Sequence, residues 1–190
     1  MAPLRTALPA LAFDYRRAPL RIVNDGHTVR VRVDNGSRLA IGGETATLRQ
    51  FHFHRPAGDR IGGEAFPLGM HFLHRSAAGG LVAVVVLFRL GAENPALAAL
   101  LPHLPRAGTP ERALPPDAVD PQALIPAQHG YYAYEGSETS PPCTEGVRWL
   151  VLKQPLEISA AQIEALQRLI PVNGRAVQPV NARPVRESLP

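Results

Sequence analysis

Residues 48 to 56 read LRQFHFHRP. Successive side chains of a β-strand point to opposite faces, so this alternation sets His52 and His54 on one face and Phe51 and Phe53 on the other. Two unpaired imidazoles turned into an apolar core would be costly. Plain solvent gives no reason to prefer histidine over the threonine and arginine of TVRVRV at 28–33. A metal ion is the third possibility. Seventeen residues after His54 comes GMHFLH, with His71 and His74. Their odd separation means that only one of these two can share the face of the first pair on a neighbouring strand. Three imidazoles and one open position describe a catalytic zinc site. His74, His103 and His129 read as hydrogen-bonded surface or core residues.

With 190 residues, 45% of them hydrophobic, the chain fits a single domain over 1–190 with an ordinary core. The net charge of +4 comes from 20 basic and 16 acidic residues, and Lys153 is the one lysine. No block of like charge tracks a phosphate backbone, so no nucleic-acid partner is expected. The apolar run LVAVVVLF at 81–88 falls short of the roughly 18 residues of a membrane helix and reads as a buried strand, so no membrane is expected. The start, MAPLRTALPALAFDY, is broken by Pro3 and Pro9 and shows no signal peptide. Cys143 is the single cysteine, so no internal disulfide forms.

Short alternating or β-branched runs recur at PLRIV, TVRVRV, ATLRQFHFH, GMHFLH, LVAVVVLF and VRWLVL, separated by turn signals such as NDG, DNGS and AAGG. They predict a mostly β fold: a central twisted, largely antiparallel sheet with a few peripheral helices. One helix begins at NPALAALL, where Asn94 can cap and Pro95 suits the first position. The other is SAAQIEALQRLI, where Ser159 and Gln162 form a capping box and Pro171 stops it. Residues 102–127 carry seven prolines and read as a long surface loop.

The segments QFHFH, MHFLHRS, VVVLF, AENPAL, YYAYEGSETSPPCTEGVRWLVL, ISAAQIEALQRL and GRAVQPVNARPV follow one another in the order found in α-class carbonic anhydrases, from about residue 20 to the end. The chain resembles that family, and TSPPCTEGVRW makes the match specific. An HxH pair alone also suits cupins, which give no reason for the later segment. The resemblance implies that His52, His54 and His71 bind Zn2+ and leave a position for water, whose pKa in carbonic anhydrase falls to about 7. It implies reversible hydration of carbon dioxide, a small-molecule substrate, to bicarbonate and a proton. By the same resemblance Gln50 and the amide of Asn173 orient His52 and His54, His27 carries the proton, and Thr139 aims the attacking oxygen. The resemblance also implies that Leu73, Ala83, Ser140 and Trp149 line the substrate pocket.

The sequence departs from the family at several places. A glutamate usually stands two positions before the third ligand, where this chain has Gly69. A second glutamate, which constrains the threonine, is replaced by Gly58, with Asp59 adjacent and expected to point elsewhere. Glu138 replaces an apolar residue before Thr139. Family members typically carry a preceding segment, often containing a cysteine that pairs with the one at Cys143, so the chain reads as N-terminally short, and resemblance implies a periplasmic or secreted setting. Two functional readings follow: a carbonic anhydrase weakened by the missing glutamates, and a zinc-holding relative with little or no turnover that binds or serves a structural role.

Overall fold

Seven strands form the middle of the sheet: β1 (Val29–Arg32), β2 (Arg38–Ile41), β3 (Glu44–His54), β4 (Leu68–Ser76), β5 (Leu81–Leu90), β6 (Tyr131–Ser137) and β7 (Glu145–Leu152). The computed structural model describes residues 3–17, 20–34, 36–115 and 117–189. Across the sheet the order is β6, β7, β5, β4, β3, β1, with β2 also lying against β3. The β5–β7 pair is parallel, and the other pairs among these strands are antiparallel. Short strands extend both edges: Leu4–Thr6 and Arg186–Ser188 beyond β6, Arg21–Asn24 and Arg112–Ala113 beyond β1. The result is the mostly β, largely antiparallel architecture expected.

The two faces of this sheet do different work. On one, Phe51, Phe53, Met70, Phe72, Val84, Val86, Phe88 and Leu150 belong to the large core. On the other, Ala83, Val85, Leu87, Val147, Trp149 and Val151 form a smaller apolar cluster beside the histidines. Strict alternation from the start of β3 would not give this division, because Ala46 and Leu48 also belong to the large core. An even-numbered pair and an odd-numbered pair can share a face only if one residue is extra. The register confirms it: Leu48 opposes His74, whereas Gln50 opposes Leu73. Arg49 is the bulged residue, and beyond it every side chain of β3 has changed face. At the same point the outer neighbour changes from β2 to β1. The Leu48 amide donates to the Ser37 carbonyl, and the Arg49 carbonyl accepts from Val33, each at 2.8 Å.

Both helices begin where their caps predict. In α1 (Pro95–Leu100) the Asn94 side chain accepts from the Leu97 amide, and α2 (Ala160–Gln167) opens on the Ser159–Gln162 capping box. The Gln162 amide also holds Asn94, accepting from its main-chain N–H at 2.9 Å and donating to its carbonyl at 2.8 Å, so the two helix starts are fastened together.

Residues 102–127 are not the surface loop that their prolines suggest. Leu104, Leu114, Ala118, Val119, Leu124 and Ile125 are buried in the main core, and Arg112–Ala113 pairs with Arg21–Ile22. Proline fixes φ and removes a donor, which suppresses regular structure but leaves neighbouring apolar side chains free to bury. Strand β6 was not foreseen either, because YYAYEGS is mostly half-buried and lacks a clean alternation.

His74 faces the core, as its phase requires. With Nδ1–H donating to the Val82 carbonyl at 3.3 Å, its Nε2 accepts from the Tyr15 hydroxyl at 2.7 Å. Burial lowers its pKa from 6.5 to about 4, and hydrogen bonds to the Val82 and Phe72 carbonyls oppose that shift. The unfolded chain therefore binds the extra proton first. The stability contributed by neutral His74 is fully present above pH 6.5 and is lost as pH falls to about 4. The loss should be about 3 kcal/mol. Urea unfolding of the metal-free chain across this range should give a clearly shallower pH slope for His74→Gln, and an equal slope would remove His74 as its source.

Candidate metal centre

Past the bulge, β3 points His52 and His54 away from the core, and β4 brings His71 directly opposite His52. All three rings are buried, and their candidate ligand nitrogens lie within 4.8 Å of one another. The Nε2 atoms of His52 and His54 are 2.9 Å apart, and the ring of His71 stands 4.1 Å from that of His54, centroid to centroid. The facing anticipated from the sequence is the one observed, with His71 in the cluster and His74 outside it.

Second contacts decide which nitrogen of each ring is free. The Gln50 side-chain oxygen accepts from Nδ1–H of His52 at 2.9 Å, and the main-chain carbonyl of Asn173 accepts from Nδ1–H of His54 at 3.4 Å. In those tautomers both Nε2 atoms carry bare lone pairs. Two such lone pairs 2.9 Å apart repel, and a cation between them turns that repulsion into binding. Burial, with the neighbouring histidines adding to it, holds the pKa of His52 well below the ordinary value and that of His54 at about 3. Both are thus neutral and able to ligate at physiological pH. Neither ring nitrogen of His71 has a hydrogen-bond partner. Three buried, convergent imidazoles with unmet acceptor capacity fit zinc.

Asn173 differs from expectation in one respect. It meets His54 through its backbone carbonyl, not its amide. The amide instead fastens the chain around the site: its oxygen accepts from Arg55 N–H at 2.7 Å, and its NH2 donates to the carbonyls of His27 at 2.9 Å and Phe53 at 3.0 Å. The asparagine was legible as a residue of the site, but a main-chain acceptor carries no side-chain signature.

The rings open into a cavity of about 160 Å3. His27, Arg30, Gln50, Glu138, Thr139 and Ser140 contribute its polar lining, and Leu73, Leu81, Val147 and Trp149 its apolar wall. Ala83 was expected in that wall. It is register-paired with both Leu73 and Trp149 but lies fully buried between them, outside the lining. Leu81 and Val147 were missed, although each stands two residues before an expected wall residue on its own strand. Arg30 was missed because its opposition to His52 depends on which strand lies beside β3. Glu138 reaches the cavity but lies outside the cluster of candidate ligands, and His27 is exposed at the edge. A second cavity, of about 450 Å3, adjoins the first, and His54, His71, Thr139 and Trp149 border both.

Asp59 does not point elsewhere. Its Oδ2 is 3.8 Å from His71 Nε2, and its Oδ1 accepts from the Tyr134 hydroxyl at 3.3 Å. Gly58 and Gly69 both lie against backbone or side chains: a Cβ at Gly58 would stand 3.1 Å from the Arg175 carbonyl oxygen, and one at Gly69 would stand 3.0 Å from the Cβ of Ala57.

The family model for eukaryotic-type carbonic anhydrase matches residues 2–189. A carbonic anhydrase of Pectobacterium carotovorum is 41% identical over 186 residues, covering 95% of this chain and 75% of that protein. Among solved structures, the Photobacterium profundum alpha-carbonic anhydrase aligns with a TM-score of 0.91 at 38% identity, over 98% of this chain and 85% of that one. The alpha-carbonic anhydrase from Thermovibrio ammonificans, solved with the inhibitor sulfanilamide, aligns with a TM-score of 0.88 at 35% identity, over 97% of this chain and 81% of that one.

The arrangement makes a direct claim about metal uptake. The purified chain should bind one zinc per molecule; His71→Ala should abolish uptake and His74→Gln should leave it intact. Metal analysis after dialysis decides this, and retention by the first variant with loss by the second would reverse the assignment of faces.

Proposed function

The chain belongs to the eukaryotic-type carbonic anhydrase family, a family of lyases, and from that membership we propose that it reversibly hydrates carbon dioxide to bicarbonate and a proton. One observation carries the reading: three buried imidazoles converge at the end of a cavity that is apolar on one side and polar on the other. His52, His54 and His71 would hold zinc. When bound, zinc acts as a Lewis acid that brings a water's pKa to about 7, the value for carbonic anhydrase itself.

The remaining work falls to the chain. Gln50 and the Asn173 carbonyl fix the tautomers of His52 and His54, so that both rings present a lone pair. Leu73, Leu81, Val147 and Trp149 offer carbon dioxide a surface with no hydrogen-bonding competitor. Thr139, with Ser140 beside it, presents a hydroxyl that can orient the attacking hydroxide. Water must give up a proton to become the attacking hydroxide, and His27, exposed at the edge of the cavity, is the side chain suited to pass that proton to buffer. One sheet pairs Leu4–Thr6, near the start of the chain, with Arg186–Ser188, near its end, which supports reading residues 1–190 as one domain. Among the described residues no helix is long and apolar enough to cross a membrane.

Gly58 favours a second reading, since it provides no carboxylate to constrain Thr139. In that reading the chain holds zinc but turns over little. Stopped-flow hydration of carbon dioxide by the zinc-loaded chain separates the two, because a folded, loaded chain no faster than buffer belongs to the second. If the first holds, His27→Ala should slow hydration in dilute buffer while leaving substrate affinity nearly unchanged, and added imidazole should restore part of the rate. An unaltered rate in dilute buffer would take the proton-carrying role from His27.

A further inference from the structure

His71 is the least supported of the three rings. His52 and His54 each have a hydrogen-bond acceptor, whereas both nitrogens of His71 are buried and unpartnered. A ligating imidazole generally donates its other N–H to a carboxylate, a carbonyl or a water, which fixes the ring and raises its basicity. The strand position two residues before His71 is Gly69, which has no side chain to offer.

The place a side chain at Gly69 would take is already occupied. A Cβ built there would lie 3.0 Å from the Cβ of Ala57, tighter than ordinary van der Waals contact. The absence of that side chain allows residues 55–59 to lie against β4, with the Ala57 amide donating to the Phe66 carbonyl at 3.1 Å. That close approach brings Asp59 to His71, with Oδ2 3.8 Å from Nε2. The other oxygen of the same carboxylate accepts from the Tyr134 hydroxyl. Tyr134 is itself held. It is register-paired with Trp149, its ring stacks on the indole at 6.3 Å with 9° between planes, and the same indole stands edge-on to His71 at 5.0 Å. Burial, and then the Asp59 charge, push the Tyr134 pKa up, so the phenol remains a donor.

We infer that Asp59, held by Tyr134, is the residue that positions His71, approaching from the 55–59 loop and the second cavity and not from the ligand's own strand. Gly69 and Asp59 are then two halves of one arrangement, the glycine making room for the loop that carries the carboxylate. In this arrangement Nε2–H of His71 would be directed at the carboxylate across 3.8 Å, leaving Nδ1 as the nitrogen for the metal. This inference rests on the metal reading above and deepens it.

The test is zinc affinity, measured by competition with a chelator, together with the visible spectrum of the cobalt-substituted chain and the melting temperature of the metal-free chain. Asp59→Asn should weaken zinc binding about 10 to 100-fold. It should also alter the cobalt bands while leaving the metal-free melting temperature close to that of the wild type. Asp59→Glu should recover most of the affinity, and Tyr134→Phe should lose less than Asp59→Asn. If Asp59→Asn and Tyr134→Phe both bind zinc as the wild type does, with an unchanged cobalt spectrum, the inference is overturned. It is overturned equally if Asp59→Asn lowers only the metal-free melting temperature. Should Asp59→Asn not fold, the Tyr134→Phe affinity and spectrum decide alone. A folded wild type that takes up neither zinc nor cobalt overturns the metal reading itself, an outcome distinct from the other two.

Discussion

A single residue of β3 with no register partner on β4 determines what the rest of the molecule can be. In the ladder with β4 Arg49 has no partner between Leu48 and Gln50, and in passing it the strand turns its two faces over. Ala46 and Leu48 lie in the main core on one side of the bulge, and Phe51 and Phe53 continue that core on the other. The even-numbered residues after the bulge, Gln50, His52 and His54, are therefore delivered to the opposite face. Without the bulge a strand satisfying its first half would drive two imidazoles into a packed hydrocarbon interior, where an unpaired polar group is costly. The bulge coincides with the point at which β2 gives way to β1 as the outer neighbour, so the ladder absorbs the irregularity where it is already changing partners.

Burial and chemistry are coupled at the histidines. Desolvation disfavours the charged imidazolium at His52 and His54, and the closeness of the other rings, with Arg30 beside His52, disfavours it further, so these ligands stay neutral. The same closeness is unfavourable while the lone pairs face only each other. An interior that gathers three imidazoles is matched to a cation, and the polar partners behind His52 and His54 govern which atom those two rings present.

Much of this was legible in the sequence, for reasons of geometry. The HxH alternation and the odd spacing of His71 and His74 fix the strand phase, and caps at Asn94 and Ser159 depend on local hydrogen bonds that neighbouring residues announce. The bulge was present too, in the spacing of Ala46, Leu48, Phe51 and Phe53, but it reads only when the apolar residues before and after the histidines are taken as one face. Other features were hidden for physical reasons. The Asn173 acceptor is a backbone carbonyl, Asp59 comes from a loop whose path depends on the absence of a side chain at Gly69, and Arg30 enters by strand pairing. The proline-rich segment misled because prolines describe the backbone, while its leucines and valines describe burial.

The parallel contact between β5 and β7 and the carbonyl of Asn173, 119 residues beyond His54, place the pocket in a different part of the chain from its ligands. All three histidines lie between residues 52 and 71, on two adjacent antiparallel strands that a short connection can bring together. The wall of Val147 and Trp149 and the acceptor behind His54 arrive only after a loop of many tens of residues has closed, and contacts of such separation are entropically expensive and slow to form. In the order of synthesis, the ligands leave the ribosome long before the surfaces that dry and orient them. A chain halted before residue 145 would possess every histidine of the cluster and none of the apolar partner surface supplied by β7.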